Sequence, residues 1–440
     1  MNVCVKDHNI FPDENKIQTT AIQAAIDACA ASGGGEIVFE AGIYRTGTLW
    51  LRSGTYLHLP YGCRIKGSDS FDDYNEPNAY PQNTPIPPER ANGKHLIVAV
   101  EVENCGIFGG GIVDGNGLHF GYRREDGFTR PSQMLHFVES KNIRLCNIEL
   151  TNAPYWSCHL HGCENVIVQG LKVNSNPSIP NCDGIDIDAS RNVIISDCLI
   201  DTQDDCLTLR CNTSLLGSLK NTDRALENIT ITNCQLRTKR CNAFRVGVGN
   251  GPIRNCRISN VIVSDSAKGV CMEARYVFND ETKPGTPIEN ISFDNCYFDC
   301  LLPIFLTSNC LGITEDTAPE IRNINFSNMT IRAEHNIVVQ ANPTAVIESI
   351  TFNNIDFDLV GAPKLRDEYL ECHEWVYATA PAAFYTTHAK EITLRDVRVK
   401  VVSEDSPVVK GIISYGSEIK LENVSFKRLK EPMETIEERV

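Results

Sequence analysis

The sequence predicts an all-β protein with the fold of a right-handed parallel β-helix, with about ten or more coils behind an N-terminal capping helix. Three observations predict this fold: β-branched residues dominate the repeats, alternating apolar and polar segments recur from Asn142 onward, and no helical periodicity follows residue 31. A parallel solenoid buries one stripe of each such segment by stacking successive turns of the chain. We therefore predict one β-helical domain over residues 1–440.

The repeated segments also allow a second all-β architecture, the β-propeller. KNIRLCNIELTN, ENVIVQGLKVNS, RNVIISDCLIDT and ENITITNCQLRT each contain a polar corner, an alternating strand, a second turn and a second short strand. A propeller blade needs four strands, whereas these repeats hold two or three. The β-helix is therefore favoured, with Ile, Val, Leu and Cys inside and asparagine ladders at the corners.

The composition excludes several classes of partner. A net charge of -15 over 440 residues argues against binding to nucleic acid or to an anionic membrane surface. No apolar run approaches the roughly 18 residues of a membrane span. No CxxC pair with a downstream partner pair occurs, so we predict neither a metal site nor a cofactor. The sequence does not define the oligomeric state.

The cysteines predict a reducing compartment. The chain has 19 cysteines, and its start, MNVCVKDHNIFPDENK, shows no basic segment followed by an apolar one. We therefore expect a cytoplasmic protein with reduced thiols. Four of these residues recur at matching places in successive repeats, as small buried residues do: Cys198, Cys234, Cys256 and Cys296.

Before the repeats, the chain predicts one helix and a glycine-rich turn. Apolar residues follow helical spacing over residues 16–31, behind an N-cap at Thr19 or Thr20, and the glycines at 33–35 end the helix. This helix is predicted to cover the first coil. The glycine-rich residues 106–117 are predicted to form tight turns between strands, because no helical pattern follows them as a dinucleotide-binding loop requires.

Long polar spacers interrupt the repeats, and long loops in compact domains often line binding sites. Four segments are predicted to lie near a cleft: residues 68–98, 211–227, 275–287 and 360–388.

Three aspartates form the most informative pattern. Asp183 lies in Asn-Cys-Asp, and Asp204 and Asp205 follow about 21 residues later, close to one coil of a solenoid. Stacking by one coil would bring the two groups together, and paired carboxylates are what acid/base hydrolysis of a sugar linkage needs. The alternative is that all three are solvated turn residues.

Two histidines about one coil earlier are candidate substrate contacts. His159 and His161 lie on one face of a predicted strand, so both contact the substrate or both are structural. Tyr155 and Trp156 beside them suit stacking on a sugar, and burying two imidazoles in an apolar core is costly. We therefore predict the substrate-contact role.

Several of these stretches resemble glycoside hydrolase family 28, the polygalacturonase family. The resemblance lies in GGGIVDGNG, in RPSQMLHFVESKNIRLCNIELTNAPYWSCHLHGCENV and above all in NCDGID and QDDC. It implies hydrolysis with inversion, in which Asp204 protonates the leaving oxygen. Asp183 and Asp205 would hold and deprotonate the attacking water, and Asn181 of the same motif would contact the substrate.

The sequence departs from the family at its substrate-binding positions. The family's Gly-His-Gly falls on FRVGVGNG, which puts Val248 in place of the histidine. The family's Arg-Ile-Lys falls on Cys271-Met272-Glu273. Loss of two cations weakens carboxylate binding, unless Arg245 or Arg275 substitutes. Glu273 could instead bind sugar hydroxyls, and each of these residues could also be structural.

The resulting prediction is an exo-acting, inverting glycoside hydrolase on pectin-derived oligosaccharides of galacturonide or rhamnogalacturonan type, with altered specificity. Exo action follows from the long loops and from the predicted cytoplasmic location. Two alternatives stay open. A polysaccharide lyase on the same fold needs a base and often Ca²⁺, and no base stands beside the aspartates. A binding-only β-helix does not need an acid beside a base.

Overall fold

A computed structural model describes residues 2–122, 127–213, 218–274, 285–308, 319–341, 346–361 and 380–439. The protein is all-β, and its strands pair in parallel from one coil to the next, as a parallel β-helix requires. The chain forms two compact units, of which the first comprises Met1–Thr208 with Asn212–Thr230 and the second Leu209–Cys211 with Ile231–Val440. Each unit by itself is β-helical, whereas a single domain over residues 1–440 stays a prediction.

In the first unit, the coils contribute strands to three parallel sheets, and the first coil has the N-terminal helix in place of a strand of sheet 1. Sheet 1 contains Leu49–Trp50, Ile97–Val100, Leu135–Val138, Cys158–His161 and Ile185–Asp188. Sheet 2 contains Asn2–Cys4, Gly35–Val38, Thr55–His58, Glu103–Phe108, Lys141–Cys146, Glu164–Gln169 and Arg191–Ser196. Sheet 3 contains Asp13–Ile17, Gly42–Thr46, Cys63–Gly67, Ile112–Asp114, Glu149–Thr151, Lys172–Asn174 and Leu199–Thr202.

The second unit has the same three-sheet coil, but several of its strands run through a corner and serve two sheets. Its strands are Gln235–Thr238, Asn242–Gly249, Ile253–Ser259, Ile262–Glu273, Ile288–Asp294, Tyr297–Thr307, Ile321–Ala333, Ile337–Gln340, Ile347–Leu359, Ala382–Thr387, Lys390–Val401, Lys410–Tyr415, Ile419–Glu422, Ser425–Arg428, Glu431–Pro432 and Glu434–Arg439. The strands Leu207–Cys211 and Leu226–Thr232 have residues in both units. One pairing in the second unit, between Ser425–Arg428 and Glu431–Pro432, is antiparallel.

Two of the three corners of the first unit contain left-handed residues: the corner between sheets 2 and 3 has one at Asn147, Gly170 and Asp197, and the corner between sheets 1 and 2 has two in each of the four coils from residue 101 onward. Between sheets 1 and 2 the second of these residues is an asparagine, with φ of 58°, 54°, 58° and 56° at Asn104, Asn142, Asn165 and Asn192. Asparagine tolerates this conformation, and the side-chain amides of Asn142, Asn165 and Asn192 each donate to the asparagine of the preceding coil at 3.1–3.2 Å. The predicted asparagine ladder is therefore confirmed. The corner between sheets 3 and 1, by contrast, varies widely in length, from two residues at 47–48 and four at 203–206 to the long segment 68–96.

The predicted cysteine positions are also confirmed as small buried ones. Cys198 of the first unit, like Cys234, Cys256 and Cys296 of the second, donates its thiol to the carbonyl two residues earlier at 3.2–3.5 Å. The seventeen cysteines in the described ranges are all free thiols.

The N-terminal helix is present, but its first turn differs from the prediction. It spans Thr19–Ala31 and buries Ile22, Ala25, Ile26 and Cys29. Its N-cap is Gln18, whose side chain makes no capping hydrogen bond. Thr19 does not cap the helix, and its hydroxyl accepts a hydrogen bond from the Gly47 amide at 2.7 Å. A second, four-residue helix at Gly117–Phe120 follows the glycine-rich turn, where no helix was predicted. Neither α-helix of the described ranges has the length and apolar content needed to cross a membrane.

Candidate active site

The first part of the candidate site is the turn Asn181–Gly184, which leads into a strand of sheet 1. The Cys182 thiol donates to the carbonyl of Ala153 at 3.1 Å, and the Cys182 carbonyl accepts from the Ser175 hydroxyl at 3.0 Å. The Asp183 carbonyl accepts the amide of Ser157 from the preceding coil at 2.9 Å. The backbone on both sides of the Asp183 side chain is therefore fixed.

The second part is the Asp204-Asp205 turn, which ends the next strand of sheet 3. The Asp205 amide donates to Asp204 Oδ1 at 3.0 Å, and the Thr202 hydroxyl donates to the Asp204 carbonyl at 2.6 Å. One carboxylate oxygen of each aspartate lies within 4.8 Å of the other. At that separation one water or hydroxyl oxygen can contact both carboxylates.

These two turns are neighbours, as one-coil stacking predicts. The Gly184 amide donates to the Asp205 carbonyl at 2.8 Å, and the Ile185 amide donates to the Cys206 carbonyl at 3.0 Å. A Cβ atom on Gly184 would lie 2.3 Å from the Cys206 carbonyl oxygen, so only glycine permits this close approach. The structure thus brings the three predicted aspartates to adjacent turns.

Burial distinguishes the three carboxylates. Asp183 is 4% exposed and Asp205 7%, whereas Asp204 is half-buried. The side chain best able to reach an incoming sugar is therefore that of Asp204, and the two others lie against the protein, where they can hold a small molecule such as water. This ordering agrees with the roles that the family resemblance implies, although a role for each residue stays a prediction.

Asn181 has a different environment from the one expected for a substrate contact. Its side-chain oxygen accepts a hydrogen bond from Arg130 Nη2 at 2.8 Å, and its backbone is left-handed, with φ of 55°. The amide oxygen thus faces the protein interior. Sequence reasoning did not single out Arg130. The only signal was weak: Arg130 lies in Thr-Arg-Pro-Ser, at the start of a stretch that resembles the family.

The two histidines lie on the same face of their strand, but that face is covered. Both rings are completely buried, with His159 Nε2 3.5 Å from Asp188 Oδ2 and His161 Nε2 3.0 Å from the Asn212 carbonyl. Burial lowers the pKa of His161 to about 4. The expectation that these residues face an open cleft is wrong for this structure, because residues of later and earlier loops pack over the strand.

The covering loops supply further residues that the sequence did not single out. Tyr80 bonds His136 Nδ1 at 2.6 Å, and His136 stacks on His159 with ring centroids 5.0 Å apart. Burial lowers the pKa of His95 to about 3 and that of His136 well below its usual range. These four histidines form a buried histidine column, defined here as His95, His136, His159 and His161.

Tyr155 and Trp156 are buried as well. They pack against Ile86 and Ala91 of the covering loop, and their rings stack on each other at 4.8 Å. The predicted stacking on a sugar face is therefore wrong, because both rings are used for loop packing.

In the second unit, the structure brings three of the predicted specificity positions together. The strands pair so that Arg245 is opposite Cys271 and Gly247 opposite Glu273. Arg245 Nη1 lies 3.1 Å from the Cys271 sulfur, and its other terminal nitrogen forms an ion pair with Glu273. Arg245 and Glu273 are both buried, so the cation and the carboxylate neutralise each other.

Two further predicted positions have different outcomes. Val248 is half-buried and left-handed, with φ of 70° between two glycines of positive φ. Its correspondence to the family histidine stays a prediction. Arg275 lies outside the described residues.

The fold and the adjacent aspartate turns define a parallel β-helix protein with a cluster of carboxylates, the type of site that hydrolytic glycosidases use. Residues 83–299, which include all three aspartates, match the family model described as glycosyl hydrolases family 28. The chain is thus similar to that family over just under half of its length.

Individual relatives agree with this assignment. A probable polygalacturonase of Arabidopsis thaliana is 32% identical over 173 residues, which are 34% of this chain and 37% of that protein, so the match spans about a third of the relative.

Two solved structures share the right-handed parallel β-helix fold. The hyperthermoactive exopolygalacturonase of Thermotoga maritima superposes with a TM-score of 0.65 at 17% identity, covering 97% of this chain and 92% of that one. The family 28 exopolygalacturonase of Yersinia enterocolitica gives 0.69 at 18% identity, covering 98% and 78%.

Proposed function

We propose that the protein is an inverting glycoside hydrolase that removes sugars from the end of pectin-derived oligosaccharides of galacturonide or rhamnogalacturonan type. One observation carries the proposal: the Gly184–Asp205 backbone contact holds Asp183 beside the Asp204-Asp205 pair. The similarity of residues 83–299 to glycosyl hydrolases family 28 supports the reaction class.

In the proposed reaction the half-buried Asp204 donates a proton to the glycosidic oxygen as the bond to the anomeric carbon breaks. A water held by Asp183 and Asp205 attacks the opposite face of the sugar and gives its proton to one of these carboxylates. The product carries the inverted configuration, and the proton on the base returns to Asp204 through solvent.

Exo action is supported by the cover over sheet 1 of the first unit. The outward-facing residues Val98, His136 and His159, on coils before Asp183, are all buried. A polymer could therefore not run along this face, which favours attack at a chain end.

A latch joins the two segments that form this cover. Gln82 donates to Glu101 at 2.9 Å and to Glu139 at 2.5 Å, and the Lys220 ammonium pairs with Glu101. The Lys220 amide also donates to Glu139 at 3.1 Å. The segment 68–96 and Lys220 are thus held to the same two glutamates, which keeps the cover in place.

Altered specificity is supported by the Arg245–Glu273 ion pair. A guanidinium already neutralised by a buried carboxylate attracts a uronate less than a cation without such a partner does, and Glu273 repels it. A neutral sugar at this position is therefore proposed, as in a rhamnogalacturonan fragment.

The cytoplasmic location is also a proposal. It rests on the 17 free thiols of the described ranges, most of them buried, which suit a reducing compartment. Fractionation of the source cells, with an antibody to the chain, tests it.

The experiment that tests the activity uses wild type and Asp204→Asn on oligogalacturonides, rhamnogalacturonan fragments and neutral oligosaccharides. We expect new reducing ends without ultraviolet absorbance, released as monomers or dimers from one end, and about a thousandfold lower kcat in Asp204→Asn. Asp197→Asn is the matched control, since this corner residue also accepts side-chain bonds but lies away from the two turns.

The alternatives predict different results. An unsaturated product that absorbs in the ultraviolet and disappears with a Ca²⁺ chelator would establish a lyase. Binding of these sugars without turnover would establish a binding-only β-helix.

A further inference from the structure

One arginine of the first unit is completely buried and uses its whole guanidinium. Arg130 has 0% exposure, and its five N–H donors make five hydrogen bonds. Two go to the Glu89 carbonyl at 3.1 and 2.7 Å, one to the Pro154 carbonyl at 3.2 Å, one to the Pro180 carbonyl and one to Asn181 Oδ1 at 2.8 Å. All these acceptors are uncharged.

Two aromatic rings complete the surroundings of this cation. Its central carbon lies 4.7 Å from the Tyr122 ring centroid and 4.8 Å from that of Tyr155. The Tyr155 hydroxyl in turn bonds the Glu89 carboxylate. A buried charge is expensive unless it is fully hydrogen-bonded. A site that satisfies all five donors is therefore specific for a guanidinium, and a lysine ammonium, with three donors on one nitrogen, cannot reproduce the fork.

The acceptors show what Arg130 holds in place. Pro180 and Asn181 immediately precede Cys182 and Asp183, and Asn181 needs a left-handed backbone. Downstream, the turn is fixed by the Ser157–Asp183 and Gly184–Asp205 backbone bonds. Upstream, two of the five bonds from Arg130 fix it, and the other three tie it to loops at Glu89 and Pro154.

We propose that Arg130 is a positioning residue that sets the orientation of the Asp183 carboxylate from behind the turn. This inference rests on the proposed function for its effect on catalysis, but not for its effect on the turn. Since Arg130 touches no reacting atom, it acts by fixing the residue that holds the attacking water. Misplacement of such a group by about 1 Å can cost about 100-fold in rate.

The kinetic test compares Arg130→Lys with wild type on the substrate found active. We expect kcat to fall about 100-fold while KM changes by less than about threefold, because substrate contacts are untouched. Tyr155→Phe is the matched control: it removes the bond to Glu89 in the same loop packing but keeps the ring and all five bonds of Arg130. It should lower the melting temperature without lowering kcat.

The second measurement does not need activity. Hydrogen exchange of the amides of Ser157 and Gly184, both bonded to the aspartate turns, should accelerate at least about tenfold in Arg130→Lys and stay unchanged in Tyr155→Phe. Methylguanidinium added to Arg130→Ala should restore part of the protection and, with an active substrate, part of kcat.

Several results would overturn the proposal. It fails if Arg130→Lys retains wild-type exchange and kcat, or if exchange at Ser157 and Gly184 rises no more than in the control. If wild type hydrolyses none of the substrates but amide hydrogen exchange is faster in Arg130→Lys, the proposed function is contradicted. The positioning role of Arg130 is then still supported.

Discussion

The outward faces of sheet 1 in the two units have the same geometry but different chemistry. In the first unit, the residues in register are His136, His159 and Asp186. In the second unit they are Arg245, Cys271, Phe305 and Val338. All seven are buried. Parallel strands thus present equivalent positions on every coil, and the covering segments, which differ along the chain, determine which chemistry is tolerated there.

The outward faces of sheet 1 in the two units are stabilised in different ways. In the second unit, Cys271, Phe305 and Val338 belong to an apolar cluster with Ala267 and Leu302, which gains stability from burial. In the first unit, burial lowers the pKa values of His95, His136 and His161 and so keeps these three rings neutral, which ties the stability of the buried histidine column to pH. The ion pair between Arg245 and Glu273 lies at the edge of the apolar region and is a buried charge pair.

The largest expected effect comes from breaking that ion pair. Glu273→Gln would leave the Arg245 guanidinium buried without its carboxylate, which costs about 4 kcal/mol of unfolding free energy. Chemical denaturation of wild type and variant measures the loss.

A double variant separates the charge from the packing. Arg245→Met combined with Glu273→Gln should recover most of the stability, because no uncompensated charge is then buried. If the single variant loses less than about 1 kcal/mol, the pair behaves like an exposed one and the contrast with the apolar cluster fails.

The next largest effect is a dependence on pH that is larger in the first unit than in the second. The folded-state pKa of His161 is about 4, below an unfolded value near 6.5. Its stabilisation is therefore complete above pH 6.5 and is lost as pH falls to 4, by about 3 kcal/mol. Hydrogen exchange of residues 135–161 should accelerate over this range, and exchange of residues 302–306 should accelerate less.

His161→Gln provides the control, since it removes this titration. Between pH 6.5 and 4, the unfolding free energy of wild type should fall by about 3 kcal/mol more than that of His161→Gln. Identical pH profiles would show that His161 does not stay neutral in the folded protein.

The smallest expected effect is a gain in stability. Among the described residues, Val248 is the only β-branched one with positive φ. This backbone conformation is strained for valine and costs folding free energy. Val248→Asn should raise the unfolding free energy by about 1 kcal/mol, because asparagine tolerates left-handed backbone as it does at the corners of the first unit. Urea denaturation measures the gain.

Val248→Ala is the comparison for this variant. It keeps a Cβ and removes only the branch, so its gain should be smaller than that of Val248→Asn. A loss of stability in both variants would show that the valine side chain contributes packing that outweighs the backbone strain.

The sequence predicted the features that depend on periodicity. Alternation identified the strands and the inward residues, the Asn and Gly corners followed from their tolerance of positive φ, and the 21-residue spacing placed Asp183 beside Asp205. Each of these is a local or one-coil property, so it can be deduced from the order of residues.

The sequence did not reveal which side chains the loops would cover. Alternation correctly put His159 and His161 on one face, yet that face is covered by residues of the segment 68–96 and by Asn212. Arg130 was missed for the same reason, because its partners at Glu89 and Asn181 lie about 40 and 50 residues away. Contacts of this range depend on loop conformation, which periodicity does not define.

The corners of the coil have a consequence for protein engineering. Two corners are short and contain left-handed residues, so neither can accept an inserted residue without shifting the register of the sheets. The corner between sheets 3 and 1 accommodates segments of very different length. Both aspartate turns lie there. Grafting a new loop at that corner should therefore change the surroundings of the carboxylates while the coils below keep their stacking, which makes it a modular position for redesigning substrate preference.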